Sequence, residues 1–196
     1  MMRSTLIAIG MALLAFCGGT ARAELVLNGG FESNDGVSSF TSWTNSGDGI
    51  LVDQTFPNSG TSDAAFTATG TLSQTLATTP GQDLTLSFAL LDEAGDFFDT
   101  FNVSLGAFST SINGLSAPGF YQTFTFTVLG TDITSPSTSL SFQGELDPTG
   151  TGGPWNLDDV SVTEAAAVPE PASLGIFGIG ILGFAFLLRH RARFYS

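Results

Sequence analysis

The chain contains no lysine, and its five arginines (Arg3, Arg22, Arg189, Arg191 and Arg193) all lie near one terminus or the other. Its single histidine is His190 and its single cysteine is Cys17. Residues 24–168 therefore carry acids with no base to oppose them, within a chain of formal charge −13. Such a surface repels phosphate backbones, which excludes DNA and RNA and leaves neutral partners and divalent cations. The body has no histidine or cysteine for a Ser-His-Asp or Cys-His nucleophile or for a zinc site, and no lysine for a phosphate loop. Only a carboxylate pair is left for chemistry, as in glycoside hydrolysis. Many acids make accidental pairs, and a small domain has little room for a deep cleft, so the body is read as non-catalytic. Unopposed acidity also keeps an exported protein soluble.

The ends carry targeting information. Met1 to Ala23 has Arg3 in a short leading region, an apolar stretch from Leu6 to Phe16 and the small-residue site Ala21-Arg22-Ala23. This is the pattern of a secretory signal peptide cleaved before Glu24. Leu14-Ala15-Phe16-Cys17-Gly18 offers a lipoprotein alternative, against which Phe16 stands where a small residue is expected. Once Cys17 leaves with the signal, no disulfide can form and stability must come from a packed core. At the other end, about seventeen uncharged residues from Ala172 to Leu188 would cover about 25 Å as a helix, enough for a short membrane span. Pro169 and Pro171 restrict the chain ahead of it, and Gly175, Gly178, Gly180 and Gly183 suit lipid better than water. Arg189, Arg191 and Arg193 form a basic stop that keeps that end cytoplasmic and the body outside the inner membrane. The alternative, a buried helix of a soluble domain, lacks an amphipathic face. The expected organisation is a signal peptide at 1–23, a β-domain at 24–164, a linker at 165–171, a transmembrane helix at 172–188 and a basic tail at 189–196.

Within the body, Leu84, Leu86, Phe88 and Leu90 alternate with small or polar residues, as do Phe124, Phe126 and Val128 with threonines. Shorter alternations occur at Phe101-Val103-Leu105, Ile50-Val52, Leu140-Phe142 and Val160-Val162. Period two with threonine outward predicts half-buried antiparallel strands, and Thr79-Pro80-Gly81, Ala117-Pro118-Gly119 and Asp147-Pro148-Thr149-Gly150 predict turns between them. Eight or more short strands at this spacing predict an all-β antiparallel β-sandwich or jelly roll.

Val168-Pro169-Glu170-Pro171, the apolar run and the arginines together resemble the PEP-CTERM sorting tail. That resemblance implies a Gram-negative host that makes exopolysaccharide and processing near the triplet by an exosortase. Leu27-Asn28-Gly29-Gly30-Phe31-Glu32, the segment Leu72-Ser73-Gln74-Thr75-Leu76 and the closing Trp155-Asn156-Leu157-Asp158-Asp159-Val160 resemble galactose-binding-like jelly rolls. These include carbohydrate-binding modules and the related DUF642 wall proteins. Such a fold implies opening and closing strands side by side, often tied by a structural Ca²⁺, with Glu32 and Asp159 as the matching ligands and a backbone contribution near Asn28 or Gly30. The alternative role for these acids is to accept backbone hydrogen bonds. Asp158 shares the parity of Val160 and Val162, is expected to face inward with them, and needs a partner if buried.

The acidic segment Asp92 to Asp99 lacks the ligand order of a helix-loop-helix calcium loop and reads as a solvated tip. Its Phe97 and Phe98, one of them expected to pack inward, are aromatic candidates for a sugar or protein platform; Trp43 and Trp155 are further candidates, although a tryptophan in such a fold is more often core or loop anchor. The expected function is an exported surface or extracellular-matrix protein that binds or organises exopolysaccharide. A structural surface protein without a glycan site is the alternative, and a small glycoside-active enzyme is the third.

Overall fold

Alternating apolar and hydroxyl residues give ten strands in a computed structural model that describes residues 23–95, 98–145 and 153–165. They are β1 (Thr44–Ser46), β2 (Ile50–Asp53), β3 (Asp63–Phe66), β4 (Thr71–Ala77), β5 (Leu84–Asp92), β6 (Thr100–Leu105), β7 (Phe108–Asn113), β8 (Gln122–Val128), β9 (Ser137–Glu145) and β10 (Trp155–Glu164). One sheet has the order β1-β4-β9-β6-β7 and the other β2-β3-β10-β5-β8, and every paired strand runs antiparallel. Every alternation singled out in the sequence falls on a strand.

The inner faces meet in one core. Leu72 and Leu76 of β4, Leu140 and Phe142 of β9, and Phe101, Val103 and Leu105 of β6 face Leu84, Leu86, Phe88 and Leu90 of β5 and Trp155, Leu157, Val160 and Val162 of β10. Phe142 sits among rings: its centroid is 5.4 Å from Phe88, 6.0 Å from Phe101 and 6.1 Å from Trp43. Without a disulfide, this aromatic packing and the apolar area it removes from water are the main source of cohesion.

The opening segment runs beside the closing strand, as the resemblance implies: the Leu25 amide donates to Val162 O and the Val160 amide to Gly29 O. The buried side chain of Gln74 joins the same segment to the first sheet, its amide pairing with both the N–H and the C=O of Leu27. β10 departs from simple alternation. A bulge lies between Asp158 and Ser161, where three steps on β10 oppose two on β5, and Asp159 takes φ +50°. The extra residue reverses the parity of the strand. Val160 and Val162 point into the core after it, Trp155 and Leu157 before it, and so Asp158 shares the opposite face with Asn156. The expectation that Asp158 faces the core with the valines is corrected by that bulge.

Phe142→Ala should destabilise the protein by about 3–5 kcal/mol, the cost of a large cavity among rings that cannot collapse onto it. Thermal or urea unfolding of the variant against the parent checks this.

Candidate functional site

The sheet β2-β3-β10-β5-β8 turns its second face away from the core, and strand register decides what stands there. Leu51, Ala65, Asn156 and Leu91 form one row across β2, β3, β10 and β5, with Asp53 opposite Asp63 in a neighbouring row. Asn156, Asp158 and Asp63 are nevertheless fully buried. The cover includes the connection between β2 and β3, residues 54–62, which three carboxylates hold in place.

Glu32 accepts from the Thr61 amide (2.8 Å), the Thr61 hydroxyl (2.6 Å) and the Ser62 amide (3.1 Å). Asp159 accepts from the Asn58 side-chain amide (2.7 Å) and the Ser59 hydroxyl (2.6 Å), while Asp158 accepts from the Ser59 amide at 2.9 Å. Glu32 and Asp159, which the sequence pairs as calcium ligands, therefore clamp the same loop. Their local backbone is unusual: Asn28, Phe31 and Asp159 all have φ between 50° and 55°, in the left-handed region that most side chains avoid. The Asn28 side chain supports its turn by donating to the carbonyls of Ser33 and Thr41 and accepting from the Ser33 amide. The Thr61 hydrogen bonds hold Glu32 below the usual carboxylate range, whereas burial pushes Asp158 up to about 7.

An oxygen-only set beside a missing counter-charge suits a hard cation in kind. A carboxylate has about four lone-pair positions, and Asp159 uses two of them on the loop. Among the described residues no three acidic, histidine or cysteine side chains group closely enough to hold a metal by themselves. Any ion at Glu32 and Asp159 would draw further ligands from backbone carbonyls.

A second acidic constellation occupies the same face. The Tyr121 hydroxyl donates to Asp63 Oδ2, and the Asn156 side-chain amide donates to Oδ2 of both Asp53 and Asp63 at 3.2 Å. Burial raises Asp63 to about 6 despite those donors, and it raises Tyr121 as well. Glu93 is raised by partial burial and by the neighbouring charges of Asp53 and Asp92.

Tyr121 also lines an open groove of about 640 Å³, together with Phe56, Pro57, Asn58, Leu91, Glu93, Gly119 and Phe120. Phe56 and Phe120 are 59% and 61% exposed. A second depression, of about 520 Å³, crosses β6, β7 and β9 on the outside of the other sheet and is lined by Asn102, Val103, Ser104, Ser109, Thr110, Ser111, Ser141 and Gln143. It has no ring on which a sugar face can stack, so the groove with Phe56 and Phe120 is the stronger binding candidate.

Of the four aromatic residues nominated from the sequence, Trp43 and Trp155 are buried in the core, and neither offers a face to a ligand. The Trp43 indole N–H donates to Asn28 O and so anchors the opening turn. Phe98 is exposed and Phe97 lies outside the described residues. Phe56 and Phe120 went unnoticed in the sequence because each lies in a loop next to proline or glycine, outside any alternating pattern. A turn-borne phenylalanine after Pro118-Gly119 was the available signal.

Residues 167–192 match the PEP-CTERM protein-sorting motif. Comparison with curated protein sequences gives no match. Among solved structures the chain is similar to the carbohydrate-binding module TmCBM61 in complex with β-1,4-galactotriose, with a TM-score of 0.56 and 16% identity over 73% of this chain and 99% of that one. It is also similar to the CBM22-1 xylan-binding domain of Paenibacillus barcinonensis Xyn10C, with a TM-score of 0.51 and 13% identity over 77% of this chain and 100% of that one. A family 16 carbohydrate-binding module gives a TM-score of 0.53 and 11% identity over 70% of this chain and 98% of that one. The sandwich thus has the jelly-roll fold of carbohydrate-binding modules, and identities this low establish the fold alone. No helix among the described residues is long and apolar enough to cross a membrane. The expected span at 172–188, the signal peptide, the box Val168–Pro171 and the stop Arg189, Arg191 and Arg193 lie outside the described residues.

Asp63 and Asp158 keep their protons to higher pH when folded than when unfolded, so the native state binds more protons between the two values and loses stability as pH rises through that window. Glu32 is lowered and Asp35 is held at about 2 by the Ser39, Val37 and Ser38 amides, so both lose their contribution as pH falls through their folded values. In cation-free buffer the melting temperature should rise as pH is lowered from about 8 to about 5 and fall again below about 4. Asp63→Asn should flatten the upper limb, as read by thermal unfolding across that range.

Proposed function

We propose that the chain is an exported surface or extracellular-matrix protein that binds a neutral polysaccharide without converting it. It is delivered by its signal peptide, anchored by a helix at 172–188 and processed by an exosortase-type enzyme at the Pro-Glu-Pro box. The observation that carries the binding role is the pair of exposed rings, Phe56 and Phe120, in one groove with Tyr121, Asn58 and Glu93. Sugars present alternating apolar and hydroxyl surfaces, which a few rings and a few acceptors can match. The sorting motif and the carbohydrate-binding fold support the same setting. Absence of bases in the body argues for an uncharged polymer.

Phe56→Ala and Phe120→Ala should each weaken retention on the host's own matrix polysaccharide by about tenfold, because truncating an exposed anchor loses binding energy. Both should leave the melting temperature unchanged. Affinity electrophoresis reads this directly, and equal retention of the double variant and the parent would sink the groove as a glycan site.

A structural role has its own support. Thr163, Thr85 and Thr127 stand abreast across β10, β5 and β8, and Ser161, Ser87 and Thr125 form the next row. This flat hydroxyl face suits contact with other proteins, and failure to bind any matrix glycan would favour it.

Calcium at Glu32 and Asp159 would tie the opening turn to the bulge of β10 and neutralise the pair that clamps residues 58–62. Chelation should then lower the melting temperature of the parent, and Glu32→Gln should shrink that response. For the tail, mass spectrometry of medium and membrane fractions should find a released form that starts near Glu24 and ends near Pro169–Pro171. Full-length tails confined to membranes would mean a permanent anchor.

A further inference from the structure

We propose that Asp53, Asp63 and Asn156 form a second cation site, for a divalent oxygen-seeking ion of the calcium class, joined to the aromatic groove through Tyr121. It shares no ligand with Glu32 and Asp159.

The placement is built by three adjacent strands. Asn156 on β10 stands beside β3, which carries Asp63, and β3 pairs Asp63 with Asp53 of β2. Asp53 is held in orientation by the Gln54 and Thr55 amides, which donate to its Oδ1 at 2.8 and 2.9 Å and leave Oδ2 turned toward Asn156. Asp63 and Asn156 are fully buried, and both Asp63 Oδ1 and Asn156 Oδ1 lack a hydrogen-bond partner among the described residues. A buried acceptor left without a donor is costly, and two of them beside a pair of carboxylates is a pattern that a cation resolves.

No protein charge can take that place, because residues 24–168 contain no Lys, Arg or His. The geometry suits an ion. The Asn156 amide nitrogen lies 3.2 Å from an oxygen of each aspartate. Turned by a half rotation about its last side-chain bond, the same amide would present Oδ1 at that point, between the two carboxylates. Oxygens 3.2 Å apart can share one ion at about 2.3–2.6 Å, the range of calcium–oxygen contacts. Asp63 Oδ1 and the Tyr121 hydroxyl, which donates to Asp63 Oδ2, are further oxygens for the shell. An amide as the third ligand also explains why the grouping holds no trio of acids.

Calorimetric titration of the full chain in detergent with calcium alone tests the site without any glycan, so it stands apart from the groove's proposed binding role. The parent should bind one more ion per chain than Asp63→Asn, and that increment should persist in Glu32→Gln. Asn156→Asp, which supplies a third carboxylate, should tighten the same site by about tenfold or more. Equal ion counts in the parent and Asp63→Asn would overturn the proposal. So would an unchanged affinity in Asn156→Asp, which stays informative even if Asp63→Asn fails to fold.

Discussion

A body with acids and no bases must satisfy every carboxylate from N–H and O–H donors, and this constraint shapes the loops. Asp35 collects the amides of Val37, Ser38 and Ser39, Asp83 takes the Gly130 amide at 2.6 Å, and Glu24 takes those of Val26 and Val162. Glu32, Asp158 and Asp159 do the same for residues 58–62. Hydrogen bonds to an ionised acceptor are stronger than neutral ones, so carboxylates here fasten connections that disulfides fasten in other small exported domains. Where donors run short, at Asp63 and Asp158, the cost of burial wins and the proton is retained to higher pH.

The strands were readable because period two survives wherever one face is buried and the other wet. Leu84 to Phe88 and Phe124 to Val128 alternate in sequence and alternate in burial, whereas from Ala89 onward β5 is covered on both faces. β10 was readable only in part. Its bulge inserts one residue after Asp158, and no composition rule marks that step, so parity counted back from Val162 gives the wrong face. Glu32 and Asp159 were brought into view by resemblance and do meet a common loop. That loop was invisible beforehand, since its position depends on hydrogen bonds across about a hundred residues, such as Asn58 to Asp159.

The tryptophans are core and anchor residues for a physical reason. A large ring in a small sandwich removes more apolar area when buried than any binding role requires, and Trp155 and Trp43 fill the space between Phe31, Phe101 and Phe142. Phenylalanines in strands are needed for the same purpose. The rings left over for a ligand are those the core cannot reach, at loop positions such as Phe56 and Phe120.

On the proposed polysaccharide role, that division bears on the kind of polymer the groove would admit. Glu93 lines the groove and Asp63 stands behind Tyr121, with no opposing base among residues 24–168. A uronate or sulfated chain would bring like charge into a poorly screened recess, at a Coulombic cost that rises as water is expelled. A neutral chain meets only rings and acceptors, and its hydroxyls supply the donors that an all-acid surface lacks. An ion at Asp53 and Asp63, behind Tyr121, would shift this balance, because it cancels charge that repels anionic chains while leaving the rings in place. Selectivity between neutral and acidic polymers would then follow the occupancy of that ion site, with Phe56 and Phe120 serving both.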